Sequence, residues 1–162
     1  RKPGRRPMES LDPAIRTVWR IKLLLWTLLV LIPVVFYEVT HLFAPDRWLP
    51  PGSLLGLVLV GGGVMIWWLP RLRYRYWRYA LGPEELVLER GVLVRVRTIV
   101  PLRRVQHLDI AQDLIEREFG LARIVLHTAG TRHSAVVLPG LRQEQAEVLR
   151  DEIKRYLLEE TL

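Results

Sequence analysis

The stretch LLLWTLLVLIPVVFY, Leu23–Tyr37, and its counterpart LLGLVLVGGGVMIWWL, Leu54–Leu69, decide the fold. Neither holds a charged residue. A helix closes its own backbone hydrogen bonds, so such segments belong in hydrocarbon rather than on a small soluble domain. Leu23–Tyr37 alone would span roughly 22 Å at the helical rise, short of a hydrocarbon core of about 30 Å. The flanks must complete the crossing, and spans of about 19–43 and 53–69 are expected. Lys22 snorkels, while Trp19, Tyr37 and Phe43 sit near the interfaces. Asp12 and Pro13 should start the first helix, and Pro33 should kink it. Glu38 is read as an interfacial acid near His41 rather than part of an ion path. Pro45, Pro50, Pro51 and Gly52 make the connection a tight turn. Gly52, Gly56 and Gly63 give the second helix an interrupted small-residue face, expected to pack within the hairpin rather than between copies.

Charge orients the hairpin. Arg1, Lys2, Arg5, Arg6, Arg16, Arg20 and Lys22 precede the first apolar stretch, and Arg71, Arg73, Arg75 and Arg78 follow the second. The connecting loop has one base, Arg47, and one acid, Asp46. This excess of cations on one side predicts that both termini are cytoplasmic. The same distribution explains the net charge of +7 without nucleic-acid binding, which that charge would otherwise suggest. The first stretch runs on into Glu38-Val39-Thr40-His41 without a small-residue cleavage pattern, so it reads as a retained helix, not a signal peptide. Arg1 is not a natural initiator, and Met8 is one candidate start. With no Cys, disulfides, thiol nucleophiles and thiolate metal sites are excluded.

After Pro70 the period changes. Arg71, Arg73 and Arg75 alternate with Leu72, Tyr74 and Tyr76 at strand spacing. Gly82-Pro83-Glu84-Glu85 is a turn, and strands are expected at Leu86–Arg90, Val92–Val100, Val105–Ala111, Ala122–Thr128 and Ser134–Leu138. Asp113–Phe119 reads as a helical turn stopped by Gly120 in the left-handed conformation. Ala129-Gly130-Thr131-Arg132 reads as a hairpin loop. From Leu141 the period is helical, with Ala146, Leu149, Ile153 and Tyr156 as the core stripe. The partition is therefore a basic N-terminal segment (1–18) whose first part, Arg1–Ser10, is expected to be mobile, a two-helix transmembrane hairpin (19–70) and one domain of antiparallel strands closed by a C-terminal helix (71–162).

Four blocks carry a resemblance: Leu86–Leu93, Ile99–Leu108, Ile115–Ala122 and Leu126–Gly130. In this order, after a two-helix hairpin, the chain resembles the bacterial pleckstrin-homology (bPH) domain membrane proteins of the YdbS-like kind, over roughly Trp19–Leu158. The resemblance implies an α+β membrane protein with a pleckstrin-homology-like antiparallel barrel or sandwich capped by the terminal helix. It also implies residence in the bacterial plasma membrane and no established catalytic chemistry. Phosphoinositide-binding members of the wider fold gather cations around the loop between their first two strands. Here that turn is Gly82-Pro83-Glu84-Glu85, which repels a phosphorylated headgroup.

Three groups of residues are candidates for function. Arg71, Arg73, Tyr74, Arg75, Tyr76, Trp77 and Arg78 follow the second helix directly. There anionic lipid attracts each cation by about 1 kcal/mol and aromatics seat at headgroup level. Topology alone also accounts for these cations. Arg103, Arg104 and Gln106 are candidate interaction residues, with edge hydrogen bonding as the simpler role. His107 and Asp109 share a strand face, and His127 on a neighbouring strand would complete a trio. No third ligand class or nucleophile is specified, so no catalytic, metal or cofactor site is assigned. Gly61-Gly62-Gly63 lies inside the apolar stretch and is no phosphate loop.

The expectation is a non-enzymatic, multi-pass membrane protein whose cytoplasmic domain serves as an interaction and assembly module. Its partners would be the bilayer, a larger bPH-domain membrane protein or further copies of itself, and no nucleic acid. Anionic-lipid sensing is the first alternative. An enzyme using His107, Asp109 and His127 is the second.

Overall fold

The computed structural model describes residues 7–46, 48–129 and 135–159. Arg1, Lys2, Arg5, Arg6 and Arg47, and residues 130–134, where a hairpin loop and the start of a strand are expected, lie outside that set. The chain divides into two units, Arg16–Arg71 and a second comprising Arg1–Ile15 with Leu72–Leu162.

The first unit is built on two long helices, α1 (Ile15–Thr40) and α2 (Ser53–Tyr76), each long and apolar enough to cross a membrane. Large apolar side chains point outward along both, among them Trp26, Phe36, Leu57 and Val60. In water such a surface would be a liability; in lipid it is the solvated one. At the loop end the Glu38 carboxylate is buried and accepts the Gly52 N–H at 3.0 Å. It thereby ties the end of α1 to the start of α2, where the helix dipole favours negative charge. His41 instead stacks on Tyr37, with ring centroids 4.4 Å apart.

The small-residue face is not where the helices meet. Space beside Gly52, Gly56 and Gly63 is open, whereas a Cβ at Gly62 would fall 2.6 Å from Thr27 Cγ2. One step along a helix turns a side chain by about 100°, so Gly62 faces α1 while Gly63 does not.

α2 also overrides the strand expected at Arg71–Tyr76. It passes through Pro70 and ends only at Tyr76, where the Trp77 N–H still reaches the Arg73 carbonyl at 3.1 Å. Extending a formed helix costs far less than starting a new element. Arg71 supports the continuation, its guanidinium lying 4.0 Å from the centre of the Trp67 ring one turn earlier.

The second unit holds two antiparallel sheets. One has the order β1 (Glu9–Ser10), β2 (Arg78–Leu81), β3 (Glu85–Arg90), β4 (Val96–Pro101). The other has the order β5 (Val105–Ala111), β6 (Leu121–Thr128), β7 (Ala135–Arg142). The sheets form a sandwich rather than a closed barrel, because β4 and β5 are joined by a 3-10 turn at Leu102–Arg104 instead of pairing. Glu9 and Ser10 pair with Tyr79 and Arg78, so this part of the N-terminal segment is a strand and not a mobile tail. The strand expected at Val92–Val100 begins only at Val96, because Gly91 at φ +112° opens a turn.

Between β5 and β6, helix α3 (Leu114–Glu118) starts with a reciprocal cap. Asp113 Oδ1 accepts the Glu116 N–H at 2.8 Å, and Glu116 Oε2 accepts the Asp113 N–H at 3.2 Å. Gly120 follows at φ +65°. Helix α4 (Gln143–Glu159) packs on β5–β7 and the 3-10 turn, with Ala146 and Ile153 fully buried. The core comprises the inward residues of both sheets, including Leu86, Leu88, Val100, Ile124, Leu126 and Leu138, together with Leu102 of the 3-10 turn.

Candidate functional site

Strand pleating decides which cations share a face. Across β2, β3 and β4 the residues Arg78, Glu89 and Arg97 lie in one register row, so their side chains project from one side of the sheet. Tyr79, next to Arg78, points the other way and is buried. The end of α2 adds Arg75 and Tyr76, and the β3–β4 turn adds Arg90, Gly91 and Arg95. Together with Met8 and Val96 these residues line a groove of about 570 Å³. Five guanidinium groups face it against one carboxylate, Glu89. Arg97 Nε sits 3.6 Å from Glu89 Oε1, and Arg95 lies over the Tyr76 ring at 6.0 Å. The groove is a cationic surface able to take a phosphate or carboxylate by forked hydrogen bonds.

This arrangement divides the aromatic-basic segment. Arg75, Tyr76 and Arg78 line the groove. Arg71 is engaged with Trp67, and Arg73 and Tyr74 lie on the same last turns of α2 without lining the groove. Trp77 cannot seat in a headgroup layer, because it is 3% exposed and belongs to the core. Arg90, Arg95 and Arg97 were not singled out from the sequence. Their signal was an Arg at alternate positions flanking a tight Gly turn, Arg95 and Arg97 across from Arg90.

Arg103, Arg104 and Gln106 are exposed but lie elsewhere. They follow the far end of β4, roughly 20 Å along the strand from the groove. There the Leu102 N–H donates to the Glu84 carbonyl at 2.9 Å, bringing the acidic turn Gly82–Glu85 alongside. Acids beside these two arginines offset their attraction for an anion.

The His-Asp-His trio does come together. His107 and His127 face each other across β5 and β6, their rings stacked with centroids 4.1 Å apart. Asp109 Oδ2 lies 3.1 Å from His127 Nε2 and 3.7 Å from His107 Nε2. The three candidate ligand atoms lie within 4.8 Å of one another on the outer surface of the sheet. Two imidazoles and a carboxylate are a competent donor set for zinc. However, both His107 and Asp109 are more than half exposed, where water competes for any ion.

A second concavity, of about 330 Å³, lies between β1, β2 and α4. Leu81, Val148 and Leu149 line it with Pro7 and Tyr79, and Glu9, Glu144 and Glu152 make its rim acidic.

Comparison with known proteins fits this architecture. Residues 23–157 match the family described as Bacterial PH domain. The chain belongs to that family. It is 32% identical over 151 residues to the UPF0699 transmembrane protein YdbS of Bacillus subtilis (strain 168), covering 92% of each chain. A shorter match, 30% identical over 78 residues, relates 45% of the chain to 16% of the UPF0699 transmembrane protein YdbT of the same organism. Among solved structures, a DUF1696 family protein with a pleckstrin-homology domain from Shewanella loihica PV-4 aligns with a TM-score of 0.40 at 16% identity. That alignment covers 52% of this chain and 74% of the other. As a member of the family with two exposed apolar helices, the chain is a membrane protein carrying a PH-like domain.

Proposed function

We propose that the protein is a non-enzymatic, multi-pass plasma-membrane protein that presents its PH-like domain at the cytoplasmic leaflet as an interaction and assembly module. The cations flanking the hairpin support the cytoplasmic orientation. The observation that carries the assembly reading is the acidic-rimmed apolar groove beside α4. A floor of Leu81, Val148 and Leu149 under Glu9, Glu144 and Glu152 suits a basic, apolar-faced segment of a second membrane protein. A larger relative of the YdbT kind, or a second copy of this chain, is the proposed source of that segment. Tethering in one bilayer raises the effective concentration of both, so a modest groove suffices.

Crosslinking in native membranes tests this reading. A higher-mass adduct is expected, and Val148→Asp should remove it, since Val148 is 66% exposed and its change leaves the core intact. Recovery of monomer alone from the unaltered protein argues against assembly. The non-enzymatic reading rests on the exposure of His107 and Asp109. Joint replacement of His107, Asp109 and His127 by Ala should leave the cellular phenotype unchanged.

A second reading, contact with anionic lipid, is favoured by a different observation, the arginine-lined groove at the end of α2.

A further inference from the structure

The β3–β4 turn combines two features that rarely coincide on a surface surrounded by water. At its tip Leu93 is 98% exposed and Val94 72% exposed, so two adjacent apolar side chains project with nothing over them. Immediately behind them stand Arg90, Arg95 and Arg97, and across the groove Arg75 and Arg78. The tip is also fixed in shape. Gly91 holds φ +112°, and a Cβ there would collide with the Val94 carbonyl oxygen. A preformed apolar point therefore sits in front of a cationic collar. An anionic bilayer has the complementary order, phosphate outside and hydrocarbon within.

The groove is continuous in sequence with the second apolar helix. Arg75 and Tyr76 are in the last turn of the same continuous helix that carries Trp67 and Trp68 at the end of its apolar stretch. From Trp68 to Arg75 the helical rise is only about 10 Å.

We propose that the Gly91–Arg95 turn is a membrane-inserting tip and that the adjoining arginine groove binds the phosphate of an anionic lipid headgroup. Leu93 and Val94 enter the acyl boundary while Arg75, Arg78, Arg90, Arg95 and Arg97 hold the headgroup. The site lies on the opposite end of β3 and β4 from the acidic turn Gly82–Glu85, which accounts for one end of the sheet being anion-repelling and the other anion-seeking. It rests on the second reading, contact with anionic lipid, and is independent of the assembly groove beside α4.

The absence of native Cys permits a direct test on the full-length protein. Leu93→Cys, labelled with an environment-sensitive fluorophore, is placed in nanodiscs of phosphatidylcholine alone or with phosphatidylglycerol. The proposal expects a blue-shifted emission and at least a several-fold loss of quenching by aqueous iodide in the anionic discs. Arg90→Glu with Arg95→Glu should abolish the difference, and Arg90→Gln with Arg95→Gln should reduce it. All three positions involved are solvent-exposed, and an unchanged melting temperature confirms folding. High salt should weaken the shift. Equal quenching in both kinds of disc, or a shift indifferent to the arginine changes, overturns the proposal. Glycerol 3-phosphate added to phosphatidylcholine discs separates a free phosphate from a lipid. Saturable protection of the groove by it, with no response to phosphatidylglycerol, would reject the lipid as ligand.

Discussion

Arg142 donates from Nε to Asp12 Oδ2 at 2.9 Å, a bond between residues 130 positions apart. The other oxygen of Asp12 accepts the Ala14 N–H at 2.9 Å, and the Asp12 N–H donates to the Gly140 carbonyl at 2.7 Å. One residue thus starts α1 and fastens the N-terminal segment to β7. The two partners differ in exposure, Arg142 at 66% and Asp12 at 10%. Solvent screens the ion pair from the arginine side, so Arg142→Ala should cost about 1 kcal/mol or less. Asp12→Ala loses the cap as well and should cost about 1–3 kcal/mol. Thermal melts of both variants and their double mutant, in one detergent, give the coupling; equal costs for the two single changes would contradict this division of roles.

Gly62 is a glycine at which the two membrane helices approach closely. Gly62→Val should destabilise the hairpin by about 1–3 kcal/mol, the usual cost of overpacking. Gly56→Ala and Gly63→Ala should be close to neutral, because nothing stands within 4 Å of either added Cβ. Thr27 Cγ2 is the atom in the way, and Thr27 Oγ1 is engaged with the Leu23 carbonyl at 2.8 Å. Thr27→Ala should therefore recover part of the loss caused by Gly62→Val. Unfolding in graded detergent mixtures checks all four, and sensitivity at Gly56 or Gly63 instead would move the contact face.

Tyr79 links the N-terminal strand to the core and does so in its neutral form. Burial, then its hydrogen bond to Glu9 Oε2 at 3.0 Å, then the charge of Glu9, raise its pKa above the ordinary tyrosine range. A raised acid is protonated in the folded protein at pH values where the unfolded chain has begun to ionise. Its contribution is fully present below the unfolded value of about 10 and is lost as pH rises above it. Tyr79→Phe should cost about 1 kcal/mol at neutral pH through the missing hydrogen bond. The variant should also lose stability less steeply between pH 9 and pH 11, about the unfolded value. Parallel slopes for the two proteins would count against Tyr79 as the titrating group.

Local signals were legible wherever one element determined itself. Leu23–Tyr37 and Leu54–Leu69 needed only their lack of charge. The helical turn expected at Asp113–Phe119 is α3 with its Gly120 stop, and β5 runs over the expected Val105–Ala111. Errors came where neighbours outvoted local pattern. The alternation Arg71–Tyr76 is strand-like by itself, but it was joined to a helix already formed. Trp77 looked interfacial by composition, yet it falls where the chain turns into β2, facing the core. The arginine groove was hidden for another reason. Its cations come from the end of α2, from β2 and from the β3–β4 turn, and only the register Arg78–Glu89–Arg97 brings them together. Gly62 was masked by its neighbours, since three successive glycines give no hint of which one faces α1.

The proposed orientation in the membrane rests on the flanking arginines and can be read by labelling. Trp48 lies in the loop between α1 and α2 at 84% exposure, and Val148 lies on α4 at 66%. Both are accessible enough to accept Cys without disturbing a core, and no native thiol competes. With the cationic flanks held inside, an impermeant maleimide on intact cells should modify Trp48→Cys and spare Val148→Cys. Permeabilised cells should modify both. The sign of the bias can then be turned against itself. Adding lysines to the loop, at Asp46 and Trp48, while replacing Arg71 and Arg73 by Ser reduces the charge difference that fixes the hairpin. A mixed labelling pattern should result, whereas unchanged protection of Val148→Cys would mean that the folded domain, too large to be carried across, sets the orientation and not the arginines.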